Sequence, residues 1–226
     1  RPPARHACPG PRADRGRARL IFAKPDAPAL LRIELAKKGY RASSLALGTN
    51  TDPYQPVETR LGITRGILEV LAETGHACTI TTKSDRITRD IDILAPMAAR
   101  RLVAVALSVT SLDPRIHRTL EPRAPHPEKR LKAIRALADA GIPTHINVAP
   151  IIPGVTDHEI EAILERGAAA GARTASFIPV RLPHEVAPLF RDWLDTHYPE
   201  RAGKVMSLIR SIRQERDNDP DFFSRM

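Results

Sequence analysis

Short apolar runs alternate with longer amphipathic segments along most of the chain. Apolar runs bounded by Gly, Pro and Asn predict strands at residues 44–49, 77–83, 102–109, 143–149 and 174–180. Helical periodicity predicts helices at 27–38, 62–74, 86–99, 127–140 and 157–170, with a long pair from about 185 to 215. Each interval between strands has room for a crossover helix, so the pattern predicts an α/β fold with parallel strands and right-handed connections.

The segment VAVALSVT indicates what each face of the sheet carries, because residues alternate between the two faces of a strand. One face has bulky side chains and the other has small ones: Val103, Val105, Leu107 and Val109 against Ala104, Ala106, Ser108 and Thr110. We expect the bulky face to meet helices. The small face would line the inside of a curved sheet. Closed barrels normally fill that space with branched side chains, so small residues predict room for a ligand.

Polar residues follow the ends of several predicted strands. The run LAL breaks off into GTNTDPYQPVE, whose glycine, asparagine and prolines prevent a longer strand. Strand alternation places Ala46, Gly48, Thr79, Thr81, His145 and Ala149 on the inner face, and it gathers Asn50, Lys83, Ser108, Thr110 and Asn147 at the carboxyl ends. Ligands of α/β proteins bind at the carboxyl ends of strands, so we expect the last five residues to surround one pocket.

Each of these polar residues also has a purely structural interpretation. Asn50 and Asp52 stand near prolines and suit an Asx-turn. Lys83 suits a surface lysine whose stem packs on apolar neighbours. The serine and threonine hydroxyls would satisfy backbone groups, and His145 would be a packed, hydrogen-bonded histidine. The coincidence of these groups at one end of the predicted strands is what favours a site.

Composition sets the amino-terminal segment apart from the remainder. The chain has 226 residues and a formal charge of +9, and residues 1–19 contain six arginines against one aspartate. That segment has almost no large apolar residue, which predicts disorder, whereas residues 20–226 predict one domain. The charge suits either a solvated basic surface or a nucleic-acid-binding module. Nine aromatic residues are few for a surface that stacks single-stranded bases.

Several other protein classes find no support in the sequence. The apolar runs are far shorter than a bilayer span, and the basic start lacks the apolar part of a signal peptide, so we expect a cytoplasmic protein. Two cysteines, Cys8 and Cys78, provide neither a disulfide framework nor a CxxC metal site. The sequence contains no G-x-S-x-G, Walker, H-E-x-x-H or G-x-G-x-x-G motif. The common hydrolase and nucleotide-binding templates are therefore unsupported.

Segments from Ile21 to the carboxyl end resemble successive blocks of a known family. They include IFAKPDAPALLRIELAKKGY, LALGTNTDPYQPVE, ITTKSDRITRDIDIL, VALSVTSLD and RTLEPRAPHPEKR, and the combination of GTNTDPYQPVE with LEPRAPHPEKR is specific. The chain resembles the radical S-adenosylmethionine proteins related to spore photoproduct lyase, which are DNA repair photolyase-like. The resemblance implies a partial (β/α)6 TIM-like barrel that binds S-adenosylmethionine across the strand ends.

The resemblance also implies site residues. Thr49, Asn50, Thr51 and Asp52 belong to the loop beside the cofactor, Lys83 and Ser108 match positions that contact it, and Arg123 and Arg130 are candidates for holding its carboxylate. Thr110 and Asn147 join this cofactor-binding set through their predicted places at strand ends. No catalytic residue and no metal ligand is assigned.

The family mechanism implies a further cofactor that this sequence does not match. Family members hold a [4Fe-4S] cluster with three cysteines in a C-x3-C-x2-C loop, and an electron from the cluster cleaves S-adenosylmethionine to a 5′-deoxyadenosyl radical. The loop should precede IFAKP, where the sequence has only Cys8; Cys78 lies on a predicted strand. Two separated cysteines do not supply three thiolates. The first strand and cluster loop of the barrel therefore look absent.

We expect the chain to be the greater part of a radical S-adenosylmethionine domain that is inactive alone. The Arg/Pro/Ala/Gly composition of residues 1–19 resembles a GC-rich gene read out of frame. The resemblance implies S-adenosylmethionine, an electron donor such as flavodoxin or ferredoxin for the intact enzyme, and a nucleic-acid substrate among its relatives, with no membrane partner. The alternative is a cluster-free protein that binds S-adenosylmethionine or nucleic acid, and salt-dependent binding would identify the nucleic-acid version.

Overall fold

The computed structural model describes residues 22–184 and 186–213. The disorder predicted for residues 1–19 lies outside the described residues. The strands are β1 (Leu45–Leu47), β2 (Cys78–Thr82), β3 (Val103–Ser108), β4 (Thr144–Ile151) and β5 (Thr174–Pro179). The helices are α1 (Ala27–Leu35), α2 (Glu58–Leu61), α3 (Ile63–Thr74), α4 (Ile91–Ala99), α5 (Pro114–Leu120), α6 (Pro127–Asp139), α7 (Ile160–Ala169), α8 (Val186–His197) and α9 (Ala202–Ser211).

The five strands form one parallel sheet in chain order, from β1 to β5. Helices connect each strand to the next, as a parallel sheet requires. The sheet confirms the predicted α/β class and all five predicted strands. Within the described ranges, no helix is both long enough and apolar enough to span a bilayer.

The main core lies between the sheet and the helices that cover its bulky face. Val103, Val105, Leu107 and Val109 are at most 5% exposed, as the alternation predicts. They belong to a cluster with side chains from α3, α4, α6 and α7, which includes Leu68, Leu71, Leu94, Met97, Ile134, Leu137 and Ile163. Full burial of such a side chain contributes roughly 1.5–3 kcal/mol to folding. Ala104 and Ala106 face the opposite, concave side and are half-buried.

A second apolar cluster lies beyond the carboxyl ends of β4 and β5. It joins α5, α8, α9 and the loops after these strands through Ile116, Ile152, Val180, Leu182, Phe190, Leu194, Val205 and Ile209. The long predicted helical pair is α8 and α9. The break between them coincides with Pro199, two residues after α8 ends, because a proline disfavours helical conformation in the residue before it.

The helix boundaries differ from prediction where local turns compete. The predicted helices 86–99 and 157–170 each begin as a 3₁₀ turn, Asp85–Asp90 and Asp157–Glu159. Two short helices, α2 and α5, were not predicted. The start of α5 has a recognisable signal, because Asp113 precedes Pro114 and its Oδ1 accepts a hydrogen bond of 2.7 Å from the Arg115 amide.

Gly48 ends β1 and turns the following loop across β2. Its φ is +90°, and a Cβ at this position would lie 1.9 Å from the carbonyl oxygen of Thr81. Any side chain would therefore push the loop away from the sheet. The predicted strand 44–49 stops at Leu47 for this reason.

We expect Gly48→Ala to destabilise the fold by about 4 kcal/mol or more, since it combines a positive φ with a clash against backbone. Gly39→Ala is the matched control: Gly39 also has a φ of +90°, but a Cβ added there would meet no atom within 4 Å outside its own chain neighbours. That variant should cost only about 1–2 kcal/mol. Urea unfolding of both variants measures the difference, and equal losses would contradict the close approach at Thr81.

Candidate functional site

A cavity of about 890 Å³ opens at the carboxyl ends of the strands. One end is polar, with Lys83, Ser108 and Glu121 in its wall. The other walls come from the ends of β4 and β5, the segments that follow them and α8. They are mainly apolar and include Ile152, Ile178, Val180, Leu182 and Phe190. A second cavity of about 260 Å³ shares Lys83 and is also lined by Asp52, Arg86 and Arg123. Lys83 therefore stands between the two cavities.

Asp52 ties the loop after β1 to the end of β2. Its Oδ1 accepts hydrogen bonds from the Tyr54 amide at 2.9 Å and the Thr82 hydroxyl at 2.7 Å. Its Oδ2 accepts one from the Lys83 amide at 2.8 Å. The bond to Tyr54 is the Asx-turn that the sequence suggested. The same carboxylate thus fixes the backbone of Lys83 at the mouth of the cavity.

The remainder of the GTNTDPYQPVE loop is anchored by buried hydrogen bonds to Asp90 and to the start of α3. Tyr54 is 1% exposed, and its hydroxyl donates to Asp90 Oδ2 at 3.0 Å. Burial and the neighbouring Asp90 raise the pKa of Tyr54, so it stays a neutral donor. Glu58 accepts the Ile63 and Thr64 amides at 3.1 and 2.8 Å, which satisfies the first turn of α3. These anchors leave the tip of the loop, residues 49–51, exposed.

Glu121 lies between two cations at the polar end of the cavity. Its Oε1 contacts Lys83 Nζ and lies 2.8 Å from the Thr110 hydroxyl, and its Oε2 accepts from Arg130 Nη2 at 2.8 Å. Burial opposes ionisation of Glu121, but Lys83 and Arg130 outweigh it and the pKa is lowered. Glu121 therefore remains a carboxylate, although its side chain is only 11% exposed.

Arg130 holds two residues of the cavity wall, Ser108 and Glu121, in place through hydrogen bonds. It lies in the first turn of α6 and is fully buried. Besides Glu121, its guanidinium donates to the carbonyls of Pro125 at 2.8 Å and Ser108 at 2.9 Å. The resemblance made Arg130 a candidate for holding the carboxylate of the cofactor. In the structure it contacts Glu121 and two backbone carbonyls.

Polar side chains also cross the concave face of β3, β4 and β5. Asn147 Nδ2 donates to Ser108 Oγ at 3.3 Å, and Ser176 Oγ donates to Asn147 Oδ1 at 3.2 Å. His145 contacts Ser176 Oγ through Nε2 at 2.7 Å and Thr174 Oγ1 through Nδ1 at 2.8 Å. Burial lowers the pKa of His145. We call these five residues the polar ladder.

The structure brings most of the predicted site residues together. Lys83 and Ser108 line the larger cavity, Thr110 contacts Glu121, and Asn147 contacts Ser108. Arg123 lines the smaller cavity, and Thr49, Asn50 and Thr51 occupy the exposed loop tip. Sequence reasoning missed Glu121. The available signal was weak, because Glu121 is one of two acidic residues in the segment LEPRAPHPEKR, beside Glu128.

The cysteine in the described part of the chain is not suited to bind metal. Cys78 lies on β2, faces the core and is 2% exposed. Burial raises the pKa of its thiol to about 11. No group of three or more His, Cys, Asp or Glu side chains in the described ranges is arranged to hold a metal ion. These residues therefore do not fit an iron–sulfur cluster.

Comparison with known sequences shows which family the chain belongs to. The profile of the Radical SAM superfamily matches residues 8–167. The chain belongs to this superfamily. An uncharacterised protein of Mycobacterium tuberculosis is 36% identical over 192 residues, which cover 84% of this chain and 56% of the relative. One from Methanocaldococcus jannaschii is 27% identical over 167 residues, covering 74% and 61%. The radical SAM chain thus spans little more than half the length of these relatives.

Two solved structures share the fold. A spore photoproduct lyase mutant with bound AdoMet (S-adenosylmethionine) and dinucleoside spore photoproduct has a TM-score of 0.56 and 17% identity, covering 77% of this chain and 51% of that one. SuiB of Streptococcus suis has a TM-score of 0.51 and 19% identity, covering 79% and 41%. The shared fold confirms the partial TIM-like barrel that the resemblance implied.

Glu121→Gln should destabilise the radical SAM chain by about 3 kcal/mol at about pH 7, because it leaves the buried guanidinium of Arg130 without a counter-charge. Lys83→Met is the control: its side chain is 32% exposed, so it should cost at most about 1 kcal/mol. Urea unfolding measures both.

The effect of Glu121→Gln should depend on pH. The folded-state pKa of Glu121 lies below its ordinary value of 4.5, so the carboxylate stabilises the fold above that value, and this contribution fades as the pH falls through the lowered pKa. The difference between the two proteins should shrink below about pH 4.5. A constant difference from about pH 7 to about pH 3 would show that Glu121 does not act through its charge.

Cys78 should resist alkylation in the folded protein, since a buried thiol with a raised pKa is both inaccessible and protonated. The Cys8→Ser variant isolates this thiol. Iodoacetamide labelling followed by mass spectrometry should modify Cys78 only after unfolding in urea. Fast labelling of the folded variant would contradict its placement in the core.

Proposed function

We propose that the chain provides the S-adenosylmethionine-binding part of a radical SAM enzyme. The observation that carries this proposal is the cavity at the strand ends, which joins a Lys83–Glu121 ion pair and the Ser108 hydroxyl to apolar walls. S-adenosylmethionine carries an ammonium group, a carboxylate, a sulfonium, a ribose and an adenine. A site for it needs both charges at one end and apolar surface elsewhere. The cavity volume is within the usual range for small-molecule sites.

The residues would share the work of binding. Lys83 would donate to the carboxylate or to ribose oxygens, and Glu121 would accept from the ammonium group. Ser108 would hydrogen-bond the same ligand, and the loop tip of Thr49, Asn50 and Thr51 would close over it. The remaining residues would position these groups. Asp52 would hold the backbone of Lys83, and Asn147 would hold Ser108. Thr110 and Arg130 would hold Glu121, and Arg123 would contribute a positive charge from the smaller cavity.

The iron–sulfur cluster of the family requires ligands that this chain does not supply. The whole sequence has two cysteines, and the described one is buried in the core. We therefore propose that the cluster loop and its adjoining strand belong to sequence outside this chain, and we expect the chain alone to be inactive. In the complete enzyme, the partners would be a low-potential electron donor such as flavodoxin or ferredoxin and a substrate. The dinucleoside bound to the spore photoproduct lyase neighbour supports a nucleic-acid substrate.

A second candidate is a cluster-free S-adenosylmethionine-binding protein. The observation that favours it is the same lack of a ligand set for a metal among the described residues. The two candidates share the binding site and differ in redox chemistry.

Isothermal titration of the full chain with S-adenosylmethionine tests the shared site. We expect binding, and Lys83→Met should weaken it by about 10- to 100-fold, because it removes a charged hydrogen bond. Lys129→Met is the control, since Lys129 is an exposed lysine on α6. Absence of binding, or equal affinity of both variants, would show that the cavity is not the S-adenosylmethionine site.

Anaerobic reconstitution with iron and sulfide, followed by dithionite and S-adenosylmethionine, separates the two candidates. The chain as it stands should hold far fewer than about four irons and release no 5′-deoxyadenosine. A version extended at its amino end by a strand and a C-x3-C-x2-C loop should do both. A full cluster on the unextended chain would refute the proposal that its ligands lie elsewhere, and an inactive extended protein that binds S-adenosylmethionine would favour the cluster-free candidate.

A further inference from the structure

The polar ladder connects the wall of the larger cavity to the far edge of the sheet. Its members stand at paired positions: Ser108 opposite Asn147, Asn147 opposite Ser176, and His145 opposite Thr174. Neighbouring side chains in the ladder are 2.7–3.3 Å apart. Since a hydroxyl has one proton and a neutral imidazole has one donor and one acceptor, the role of each member constrains the next.

With the Asn147 amide oriented as in the structure, the hydrogen bonds of the ladder run in one direction. Asn147 Oδ1 only accepts, so the Ser176 hydroxyl donates to it. The Ser176 oxygen must then accept from His145, which places the ring proton on Nε2. His145 Nδ1 in turn accepts from the Thr174 hydroxyl. The ladder therefore fits the Nε2–H tautomer of neutral His145.

At the cavity end of the ladder, this direction determines whether the Ser108 hydroxyl can donate a hydrogen bond to a ligand. Asn147 Nδ2 donates to the Ser108 oxygen. Among the described residues, the structure shows no hydrogen bond donated by the Ser108 hydroxyl. Because Ser108 borders the cavity, its proton is available to an acceptor atom of a bound molecule.

The opposite direction also satisfies every member. If the Asn147 amide turns by half a rotation, Ser108 donates to its oxygen and Ser176 accepts from its nitrogen. Ser176 then donates to Nε2, and His145 carries its proton on Nδ1. Ser108 would in this case offer the cavity only an acceptor. Burial lowers the pKa of His145 and favours the neutral ring that permits both directions.

We propose that His145 is a positioning residue whose ring tautomer is coupled, through Ser176 and Asn147, to the ligand contact at Ser108. A ligand that presents a hydrogen-bond acceptor to Ser108, such as a ribose oxygen or a purine nitrogen, holds the ladder in its Nε2–H form. The ligand part of this inference rests on the proposed S-adenosylmethionine site, whereas the coupling within the ladder does not.

The coupling is tested in the ligand-free full chain, with the histidine rings labelled with ¹⁵N and their tautomers identified by NMR. Asn147→Asp offers Ser176 only acceptors and should hold His145 in the Nε2–H form. Asn147→Leu has a similar size but removes that acceptor, so Ser176 should donate to Nε2 instead. The ratio of the Nε2–H tautomer to the Nδ1–H tautomer should differ between the variants by at least about fivefold, which corresponds to the net free energy of one typical hydrogen bond.

His76 provides the internal control. Its Nδ1 donates to the Ala77 carbonyl at 2.9 Å, and its Nε2 accepts from the Tyr40 hydroxyl at 2.7 Å, on the amino side of the sheet. It should remain Nδ1–H in both variants, which also shows that they fold. Equal His145 ratios in folded Asn147→Asp and Asn147→Leu would overturn the coupling.

Addition of S-adenosylmethionine to the unsubstituted chain tests the ligand part. Binding measured by calorimetry, with His145 entirely in the Nε2–H form and Ser176→Ala abolishing that preference, supports the inference. Binding with His145 in the Nδ1–H form, or with the same preference in Ser176→Ala, overturns the inference and leaves the proposed function standing. No binding at all refutes the proposed function and the ligand assignment, while the Asn147 variants still decide the coupling.

Discussion

The buried guanidinium of Arg130 is the constraint on which the polar end of the cavity depends. A charge without exposure to water is tolerated only with full hydrogen bonding, and Arg130 finds it in Glu121 and the carbonyls of Pro125 and Ser108. These bonds connect the segment before α6 to the end of β3. They also keep Glu121 ionised beside Lys83, so an ion pair rather than a lone lysine faces the cavity.

The loop after β1 fixes the position of Lys83, the other charged residue of the ion pair. Asp52 binds the backbone of Lys83, while Tyr54 and Glu58 attach the loop to Asp90 and to the start of α3. Six of the seven polar residues of GTNTDPYQPVE therefore divide into two groups. Three of them hold the loop in place, and three lie at its exposed tip, residues 49–51. This rigid support is what a binding site on loops requires.

The chain has the fold of its family, but its described residues lack the ligands of the family's cluster. The parallel sheet, the small-lined concave face and the cavity at the strand ends all suit a radical SAM barrel, and membership in the superfamily agrees. The thiolate ligands do not, because Cys78 points into the core from β2. The proposed binding of S-adenosylmethionine therefore does not depend on the residues that its reductive cleavage would require.

Local patterns in the sequence were sufficient to predict the strands, most of the helices and the end of the sheet where the candidate site lies. Apolar periodicity is local, so VAVALSVT was sufficient to assign buried and concave faces, and parallel strands necessarily share their carboxyl edge. Which polar groups face the cavity depends on the packing of distant segments against one another. Lys83 and Glu121 are 38 residues apart in the chain and in contact in the fold, and Arg130, a suitable carboxylate ligand by type, is buried behind them. The partner of a charged side chain is set by distance in space and by exclusion of water, and neither quantity is written in the residues next to it.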